Sequence, residues 1–203
     1  MDQHELFQEA VRNVAQLCAV AAMTAPKSGG ALFLKGSRPF IETVIIEDRA
    51  DLHRMAEWMR ERGQRLKQAI WLRDADTAEK VDLILFVGLA KWYPPVYDCG
   101  ACGFATCAEF LRAREHQKPE GIEDWEFPGP ICQLRCIDLG IAVGSAAKTA
   151  SLNNVDMRCQ TRVAAAARHL GLIQADLAVA LSMSVSHKNI FFDRPPVNVD
   201  FTQ

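Results

Sequence analysis

Apolar side chains recur every three or four residues over positions 4–23, a spacing that predicts an amphipathic helix. Residues 40–46 are apolar and β-branched, which predicts a strand, and Asp48 is placed to cap a helix over residues 49–62. Residues 81–87 form a second, nearly continuous apolar run, which is typical of a strand buried on both faces. The first half of the chain therefore alternates helices with buried strands.

The second half of the chain continues this alternation. A short helix is predicted over residues 108–115, and a long helix rich in small residues is predicted over residues 133–152. A further helix is expected over residues 157–170, closed by Gly171, and a third strand over residues 176–184. Helices and buried strands in alternation indicate the α/β (α+β) class, with a sheet flanked by helices.

The length of the chain is consistent with one domain. At 203 residues, 49% of them hydrophobic, the chain can bury a substantial core. We therefore predict a single α/β domain over residues 1–203. Residues 91–131 are interpreted as a segment inserted between a strand and the long helix.

The inserted segment contains the run Asp-Cys-Gly-Ala-Cys-Gly-Phe-Ala-Thr-Cys. An iron–sulfur cluster needs several thiolates that converge on one small volume, and this spacing lets one loop supply three of them, Cys99, Cys102 and Cys107. Gly100 and Gly103 allow the backbone amides to turn toward the cluster, in conformations that other residues avoid. The motif therefore predicts a metal centre and favours an iron–sulfur cluster.

A fourth thiolate must come from elsewhere in the chain. Cys132 is favoured because it follows a Pro-Gly-Pro-Ile turn and directly precedes the long helix. Cys136 is the alternative; it lies one helical turn later in an apolar pattern, where a free cysteine behaves as a small buried hydrophobic residue. Cys18 and Cys159 are interpreted as structural thiols.

Two other interpretations of the cysteines remain open. A structural zinc site usually combines two Cys/His pairs, whereas this chain offers one Cys-x-x-Cys, one lone cysteine and one distant cysteine, so zinc is the second choice. Disulfides require an oxidising compartment, and the N-terminus shows no basic and apolar regions of a signal peptide. The odd number of cysteines, 7, also argues against a disulfide framework.

Charge and hydropathy exclude several classes of partner. The net charge of −2 gives no electrostatic footprint for nucleic acid or for an anionic membrane. No apolar run approaches the ~20 residues of a membrane span. The five histidines are scattered, so no hydrolytic constellation is recognised. We expect a soluble cytoplasmic protein with neither a nucleic-acid nor a membrane partner.

The long helix carries Gly140 and Gly144 one turn apart, and each costs about 1 kcal/mol of helix stability relative to alanine. Close packing against another helix, inside the chain or across a homodimer, would offset that cost; so would the approach of a flat cofactor or of the cluster segment. Asp138 on the same helix is a carboxylate in an apolar setting, and we expect it to hydrogen-bond near the cluster helix.

Several segments together make the chain similar to a known family. They are Thr24-Ala-Pro-Lys, the three-cysteine run ending at Cys107, Pro128-Gly-Pro-x-Cys132, the small-residue helix and Lys188-Asn-Ile-Phe-Phe-Asp-Arg194. With them the chain resembles, over nearly its whole length, an uncharacterised prokaryotic family described as ferredoxin-domain-containing proteins. The cysteine run is also similar to the small four-iron four-sulfur domain of corrinoid iron–sulfur proteins and of Rnf-type electron-transport subunits. The resemblance implies such a cluster, with ligands at Cys99, Cys102, Cys107 and Cys132.

The order of elements around the cysteine segment resembles a second family, the flavin-dependent nitroreductases. That resemblance implies a nitroreductase-like sheet that carries an inserted iron–sulfur loop. In that fold two chains exchange helices and bind flavin mononucleotide (FMN) at the dimer interface. The cations that could contact an FMN phosphate here are Lys27, Lys188 and Arg194.

Three classes of function follow from these patterns. The first is electron transfer by a four-iron four-sulfur protein, as an oxidoreductase component that serves an unidentified redox partner or a flavin in the same homodimer. The second is an interaction module in which zinc or a cluster only staples the inserted segment. The third is a redox or iron sensor. The sequence does not identify a catalytic residue, so whether the chain is itself an enzyme stays open.

Overall fold

The structure is a computed structural model that describes residues 1–29, 39–116 and 125–192. In chain order the elements are α1 (Gln3–Thr24), β1 (Ile41–Ile46), α2 (Arg49–Leu66), α3 (Ala69–Lys80), β2 (Leu83–Leu89), α4 (Cys107–His116), α5 (Gln133–Leu152), β3 (Asp156–Gln160), α6 (Thr161–His169) and β4 (Leu177–Ser184). A short 3₁₀ helix, Ile190–Phe192, follows them. Within the described ranges, none of the helices is long and apolar enough to cross a membrane.

The strands form one antiparallel sheet in the order β1-β2-β4-β3. Val87 of β2 lies between two partners, Thr43 of β1 and Val179 of β4. Every residue of β2 is buried, because this strand has a neighbour on each side and helices on each face. The apolar run predicted as a strand over residues 81–87 therefore forms a central strand, two residues further along.

Neighbouring residues of β2 pack into two different cores, since successive strand side chains point to opposite faces of the sheet. Leu83 and Leu85 belong to the core that includes α1 and α5. Ile84 and Phe86 belong to the core that includes α2, α3 and α6. This arrangement confirms the predicted sheet flanked by helices.

Local signals set several helix ends as expected. Asp48 is the N-cap of α2, and its carboxylate accepts a hydrogen bond of 2.7 Å from the backbone N–H of Ala50. Gly171 follows the end of α6 with a φ of +73°, the left-handed conformation that glycine adopts without strain. The long helix α5 has the bounds predicted from its pattern, residues 133–152.

The start of the helix predicted over residues 157–170 is wrong. Residues Asp156–Gln160 form the strand β3, and the helix begins only at Thr161. β3 lies at the edge of the sheet, where its side chains are mostly half-buried or exposed. Its residues do alternate, with Met157 and Cys159 between polar neighbours, but the strand has only five residues. The alanine-rich pattern of α6 therefore extends the helix prediction too far toward the N-terminus.

The helix α3 was not predicted from the sequence. Its buried residues Trp71, Ala75 and Ala78 follow the helical spacing of four and three residues. The signal was weak because charged residues occupy much of the remaining surface of this short helix. α3 packs against α2 on the face of the sheet away from α5.

The glycines of α5 face away from the rest of the described chain. A Cβ atom built on Gly140 or Gly144 would meet nothing within 4 Å among the described residues. Ile137 and Ile141, on the same side of the helix, are exposed. Close packing inside the chain, one of the explanations for the two glycines, is therefore not observed in the described part, and packing across a dimer remains a prediction.

Candidate metal centre

One pocket, at the N-terminal ends of α4 and α5, is lined by four of the seven cysteines. Cys99, Cys102 and Cys107 come from the segment that follows β2, and Cys132 is the N-cap residue of α5. Cys136 is not one of the described residues that line this pocket. The structure thus brings together the four cysteines favoured as ligands. We call this site the cysteine pocket.

Two glycines shape the loop that carries the first three cysteines. Gly100 and Gly103 have φ angles of +70° and +86°, and the N–H of Gly103 donates to the carbonyl of Gly100 at 2.9 Å. A residue with a Cβ would be strained at either position. Asp98 also has a positive φ, +46°, and its carboxylate accepts a 2.7 Å hydrogen bond from the backbone N–H of Cys107. These contacts fold the loop back onto the start of α4.

Apolar side chains form the inner walls of the cysteine pocket. Phe104, Phe110 and Leu134 line it, and the rings of Phe104 and Phe110 meet edge to face with centroids 5.7 Å apart. Trp92 packs behind Phe110 at a centroid distance of 6.1 Å. A wall of this kind excludes water from the inner side of the pocket and strengthens the electrostatic interactions there.

Two helices begin at the cysteine pocket. α4 starts at Cys107, and α5 starts directly after Cys132, whose side chain makes no capping hydrogen bond. The first amides of a helix carry a partial positive charge that favours anions. Thiolates and a negatively charged cluster would both be stabilised by this arrangement.

Arg114 of α4 joins the two segments that carry the cysteines. Its guanidinium donates to the carbonyl of Pro130 at 2.9 Å and to the carboxylate of Asp176 at 2.6 Å. The indole N–H of Trp92 donates to the same Asp176 oxygen at 2.8 Å, and the guanidinium carbon lies 4.4 Å from the Trp92 ring centroid. This clamp was not predicted from sequence, because the partners of Arg114 come from distant segments.

A buried ion pair lies in the first two turns of α5. Arg135 and Asp138 are 3% and 2% exposed, and a guanidinium nitrogen lies 2.8 Å from a carboxylate oxygen. Asp138 also accepts hydrogen bonds from the backbone N–H and the hydroxyl of Ser28, at 2.7 and 2.8 Å. Asp138 is therefore hydrogen-bonded, but its partners Ser28 and Arg135 do not belong to α4, the helix that follows the cysteine loop. The sequence analysis did not single out Arg135.

The donor set of the cysteine pocket fits an iron–sulfur cluster better than a single ion. No group of three or more His, Cys, Asp or Glu side chains within the described ranges is arranged to hold one metal ion. A tetrahedral zinc ion requires its sulfur ligands to lie only about 3.8 Å apart, since each Zn–S bond is about 2.3 Å. A cluster of several irons accepts thiolates that are more widely spaced. Four cysteines line one pocket, which is the number and type of ligand that such a cluster uses.

The walls of the cysteine pocket lie close together, and its cavity volume is only about 10 Å³. Cys99 is exposed at the outer edge, whereas Cys132 is buried at the inner edge. The loop that carries Cys99 is therefore the side on which a bound cluster would meet solvent. The inner wall is part of the core.

The other three thiols differ from these four in position. Cys18 is buried in α1 within the core, and burial raises its pKa to about 11, although a backbone hydrogen bond with Ala150 partly opposes this. Burial also raises the pKa of Cys136, and the nearby Cys132 adds to that effect. Cys159 lies on the edge strand β3 and is exposed. The placement of Cys18 agrees with its interpretation as a structural thiol.

The cations considered for a flavin phosphate lie far apart in one chain. Lys27 follows the C-terminal end of α1. Lys188 is next in sequence to His187, whose ring meets that of Phe7, near the N-terminal end of the same helix, at a centroid distance of 5.4 Å. The helix between Phe7 and Thr24 spans roughly 25 Å. Arg194 lies outside the described residues.

Lys27 borders a second cavity, which we call the Lys27 cleft. Its free volume is about 390 Å³, and it is lined by Met23, Thr24, Ala25, Pro26, Lys27, Pro39, Phe40 and Ile41. The ammonium of Lys27 donates to the carbonyls of Met23 and Ala25, each at 2.6 Å. Burial lowers the pKa of Lys27, and the charge of Asp138 partly opposes that shift.

Comparison with solved structures defines the class of fold. A BluB-like flavoprotein from Clostridium difficile 630 is 12% identical, with 95% of this chain and 85% of that chain covered at a TM-score of 0.51. Nitroreductase A from Vibrio parahaemolyticus RIMD 2210633 is 13% identical at a TM-score of 0.48, with 92% of this chain and 62% of that chain covered. The chain therefore spans less than two thirds of the length of that nitroreductase. The likeness to the flavoprotein shows the fold, which agrees with the predicted sheet flanked by helices.

Sequence comparison identifies the family. A family model described as "uncharacterized protein containing a ferredoxin domain" matches residues 128–194. An uncharacterized protein from Archaeoglobus fulgidus is 34% identical over 196 residues, which cover 97% of this chain and 98% of that protein. The chain belongs to this family of proteins that contain a ferredoxin domain. The matched segment includes Cys132 and α5 and begins after the three-cysteine loop.

Proposed function

We propose that the chain holds a four-iron four-sulfur cluster on Cys99, Cys102, Cys107 and Cys132 and that it serves in electron transfer. The observation that carries this proposal is the convergence of these four thiols on one pocket, although Cys132 lies 25 positions after Cys107 in the chain. The ferredoxin-domain family supports an iron–sulfur redox role. When bound, such a cluster accepts and donates one electron at a time.

The protein contributes the environment of the cluster. The helices α4 and α5 begin beside the pocket, at Cys107 and Gln133, and the partial positive charge of a helix N-terminus stabilises negative charge. The walls at Phe104 and Phe110 lower the local dielectric constant on the inner side. Burial, amide hydrogen bonds and net charge are the factors that set the reduction potential of such a centre.

Electrons would enter or leave on the outer side, where Cys99 is exposed. Tyr93, Val96 and Tyr97 precede this cysteine and present large apolar side chains to solvent. An exposed apolar rim beside a redox centre fits the docking of a partner redox protein. We propose this rim as the contact surface for an electron donor or acceptor.

Anaerobic purification followed by iron, sulfide and zinc analysis tests the proposal. We expect about four iron and four sulfide per chain and a broad absorption band near roughly 400 nm that dithionite bleaches reversibly. Colourless protein with one tightly bound zinc would instead identify a zinc-stapled interaction module. A cluster that dithionite does not reduce would indicate a structural role. A cluster that is lost in air or at low iron, with a change in which partner the protein binds, would indicate a sensor.

A flavin is the second candidate cofactor, and the Lys27 cleft favours it. The cleft combines a flat aromatic side chain, Phe40, with a lysine, and its volume of about 390 Å³ is within the range of small-molecule sites. The flavoprotein of similar fold supports this candidate. Phosphate binding by Lys27 would require its ammonium to leave the carbonyls of Met23 and Ala25. Titration with FMN, followed by quenching of flavin fluorescence, tests it.

We further propose that two copies of the chain form a homodimer through the exposed face of α5 and the neighbouring face of α1. Gly140 and Gly144 lie open on α5 beside Ile137 and Ile141. Leu17, Val20 and Met23 are exposed on α1, which packs beside α5. A second copy would cover these apolar side chains and offset the cost of two glycines within a helix.

A further inference from the structure

Arg135 is the residue that the structure singles out beyond the cysteines themselves. It lies in the first turn of α5, three residues after Cys132, and its side chain is almost fully buried. An arginine cannot lose its charge in a protein, so this position keeps a positive charge away from water. A buried charge of this kind must be satisfied by partners.

The partners of Arg135 come from three other segments of the chain. Its Nε donates to the carbonyl of Tyr93 at 2.6 Å, and one terminal nitrogen donates to the carbonyl of Ser28 at 3.0 Å and to Asp138 at 2.8 Å. The guanidinium carbon lies 3.9 Å from the centroid of the Phe40 ring. One side chain therefore connects the start of α5 with the segment before Cys99, with the loop after α1 and with the entry to β1.

The contact with Tyr93 links both groups of cysteines. Tyr93 begins the stretch that leads to Cys99, while the backbone of Arg135 belongs to the helix that starts beside Cys132. The hydrogen bond between them fixes the two segments relative to each other. Ser28, held by both members of the ion pair, adds a third fixed point.

The energetics argue that this pair specifies an arrangement. A buried ion pair is often no more stabilising than apolar residues of the same volume, because both charges lose their hydration. The contribution of the ion pair is geometric, since a planar guanidinium can donate well-aligned hydrogen bonds to only a few arrangements of acceptors. Three carbonyl or carboxylate acceptors around Arg135 meet that condition.

We propose that Arg135 is a positioning residue of the metal centre: it holds the segment that leads to Cys99 in register with the helix that follows Cys132, with Asp138 and Ser28 as its supports. This inference rests on the cluster proposed above. Hydrogen-bonding groups behind metal ligands typically affect metal affinity by about 10–100-fold.

The test replaces the pair with apolar residues, Arg135→Met with Asp138→Leu, so that the fold can be kept while the contacts to Tyr93 and Ser28 are removed. The matched control is Arg162→Met with Asp74→Leu. That pair has a distance of 3.2 Å and a buried aspartate, and Arg162 lies near Trp71, in the core on the other face of the sheet. Circular dichroism and thermal unfolding establish that both variants are folded.

Iron release to a chelator is then measured under anaerobic conditions. We expect the Arg135/Asp138 variant to release iron about 10–100-fold faster than the parent chain, and the control pair to release it at the parent rate. Hydrogen exchange gives a readout without iron: amides of residues 96–104 should exchange faster in the first variant alone. Equal iron release and equal exchange in the two variants would overturn the proposal.

Arg135→Lys keeps the test decisive if the double variant does not fold. Lysine retains the charge but cannot reach the carbonyls of Tyr93 and Ser28 and the carboxylate of Asp138 with the same fork. We expect faster iron release in this variant too, and release at the parent rate would overturn the positioning role. A parent chain that binds no iron would overturn the proposed function, whereas a parent with iron and unaffected variants would overturn only the role of Arg135.

Discussion

The carboxylate of Asp98 accepts a hydrogen bond of 2.7 Å from the backbone N–H of Cys107, nine residues later in the chain. This bond closes the loop that carries Cys99 and Cys102 onto the first residue of α4. Thr106 completes the helix start, because its hydroxyl accepts a 3.2 Å hydrogen bond from the N–H of Glu109. The shape of the three-cysteine loop therefore depends on a side chain that immediately precedes the motif.

Asp98→Ala should weaken the loop even without metal. It removes a hydrogen bond to a charged acceptor and a negative charge at a helix N-terminus, which together contribute about 1 kcal/mol at an exposed site. Asp98→Asn is the matched control, because asparagine keeps an acceptor and tolerates the φ of +46°. Urea unfolding of the metal-free protein should order the stabilities as parent, Asn variant and Ala variant. An Ala variant as stable as the parent would contradict this account.

The asparagine variant, Asp98→Asn, should also alter the reduction potential of a bound cluster. Asp98 lines the cysteine pocket, and its negative charge opposes the addition of an electron. Asp98→Asn removes that charge with little change of shape, so the potential should become less negative. Redox titration monitored by visible absorption measures this shift, and a more negative potential in the Asn variant would be inconsistent with the placement of Asp98.

Individual replacement of the four pocket cysteines should remove most of the iron. Cys99→Ser, Cys102→Ser, Cys107→Ser and Cys132→Ser each replace a thiolate with a hydroxyl that does not ionise at neutral pH and is a poor ligand for iron. Cys18→Ser, Cys136→Ser and Cys159→Ser are the controls and should retain the iron content of the parent. Iron and sulfide analysis of anaerobic preparations decides between them. Loss of iron in Cys136→Ser, with retention in Cys132→Ser, would show that the fourth ligand is misassigned.

The four cysteines that line the pocket could be named from the sequence, because the signals that mark them are local. The glycines in the loop and the Pro-Gly-Pro turn before Cys132 indicate a conformation within a few residues of each ligand. Gly100 and Gly103 do have positive φ angles in the structure. Local backbone preferences were therefore sufficient to select Cys132 over Cys136 as the cysteine that lines the pocket.

The contacts that connect the segments could not be predicted, because their partners are distant in sequence. Arg135 bonds to Tyr93 and Ser28, which precede it by 42 and 107 residues. A single sequence contains no signal for such a pair. Strand β3 was missed for a related reason, since its identity depends on pairing with β4 and its alternation of polar and apolar residues extends over only five positions.

The thiol of Cys18 should make stability depend on pH in the alkaline range. Burial raises its pKa from 9.0 to about 11 in the folded chain, so the neutral thiol is favoured by folding. Its contribution is fully present below pH 9.0, where the unfolded thiol is also protonated, and is lost as pH rises through about 11. The loss amounts to at most about 2.7 kcal/mol for a shift of two pKa units.

Urea unfolding of metal-free, reduced protein between pH 8 and pH 11 measures this dependence. Cys18→Ala lacks the thiol, so its free energy of unfolding should fall less steeply than that of the parent chain. All other titrating groups are shared and cancel in the comparison. Parallel curves for the two proteins across this range would exclude a contribution from Cys18.

Substitutions at Gly144 should distinguish a dimer from a monomer by the sign of their effect. In an isolated chain this glycine lies open, so Gly144→Ala should stabilise α5 by about 1 kcal/mol through helix propensity alone. In a dimer with close contact at this face, an added side chain meets the second copy, and Gly144→Leu should shift the chain toward monomer. Glu61→Leu, at an exposed position of α2, controls for the added apolar surface. Light scattering at micromolar concentrations reads out the mass, and a monomeric parent with a stabilised Gly144→Ala variant would rule out the proposed interface.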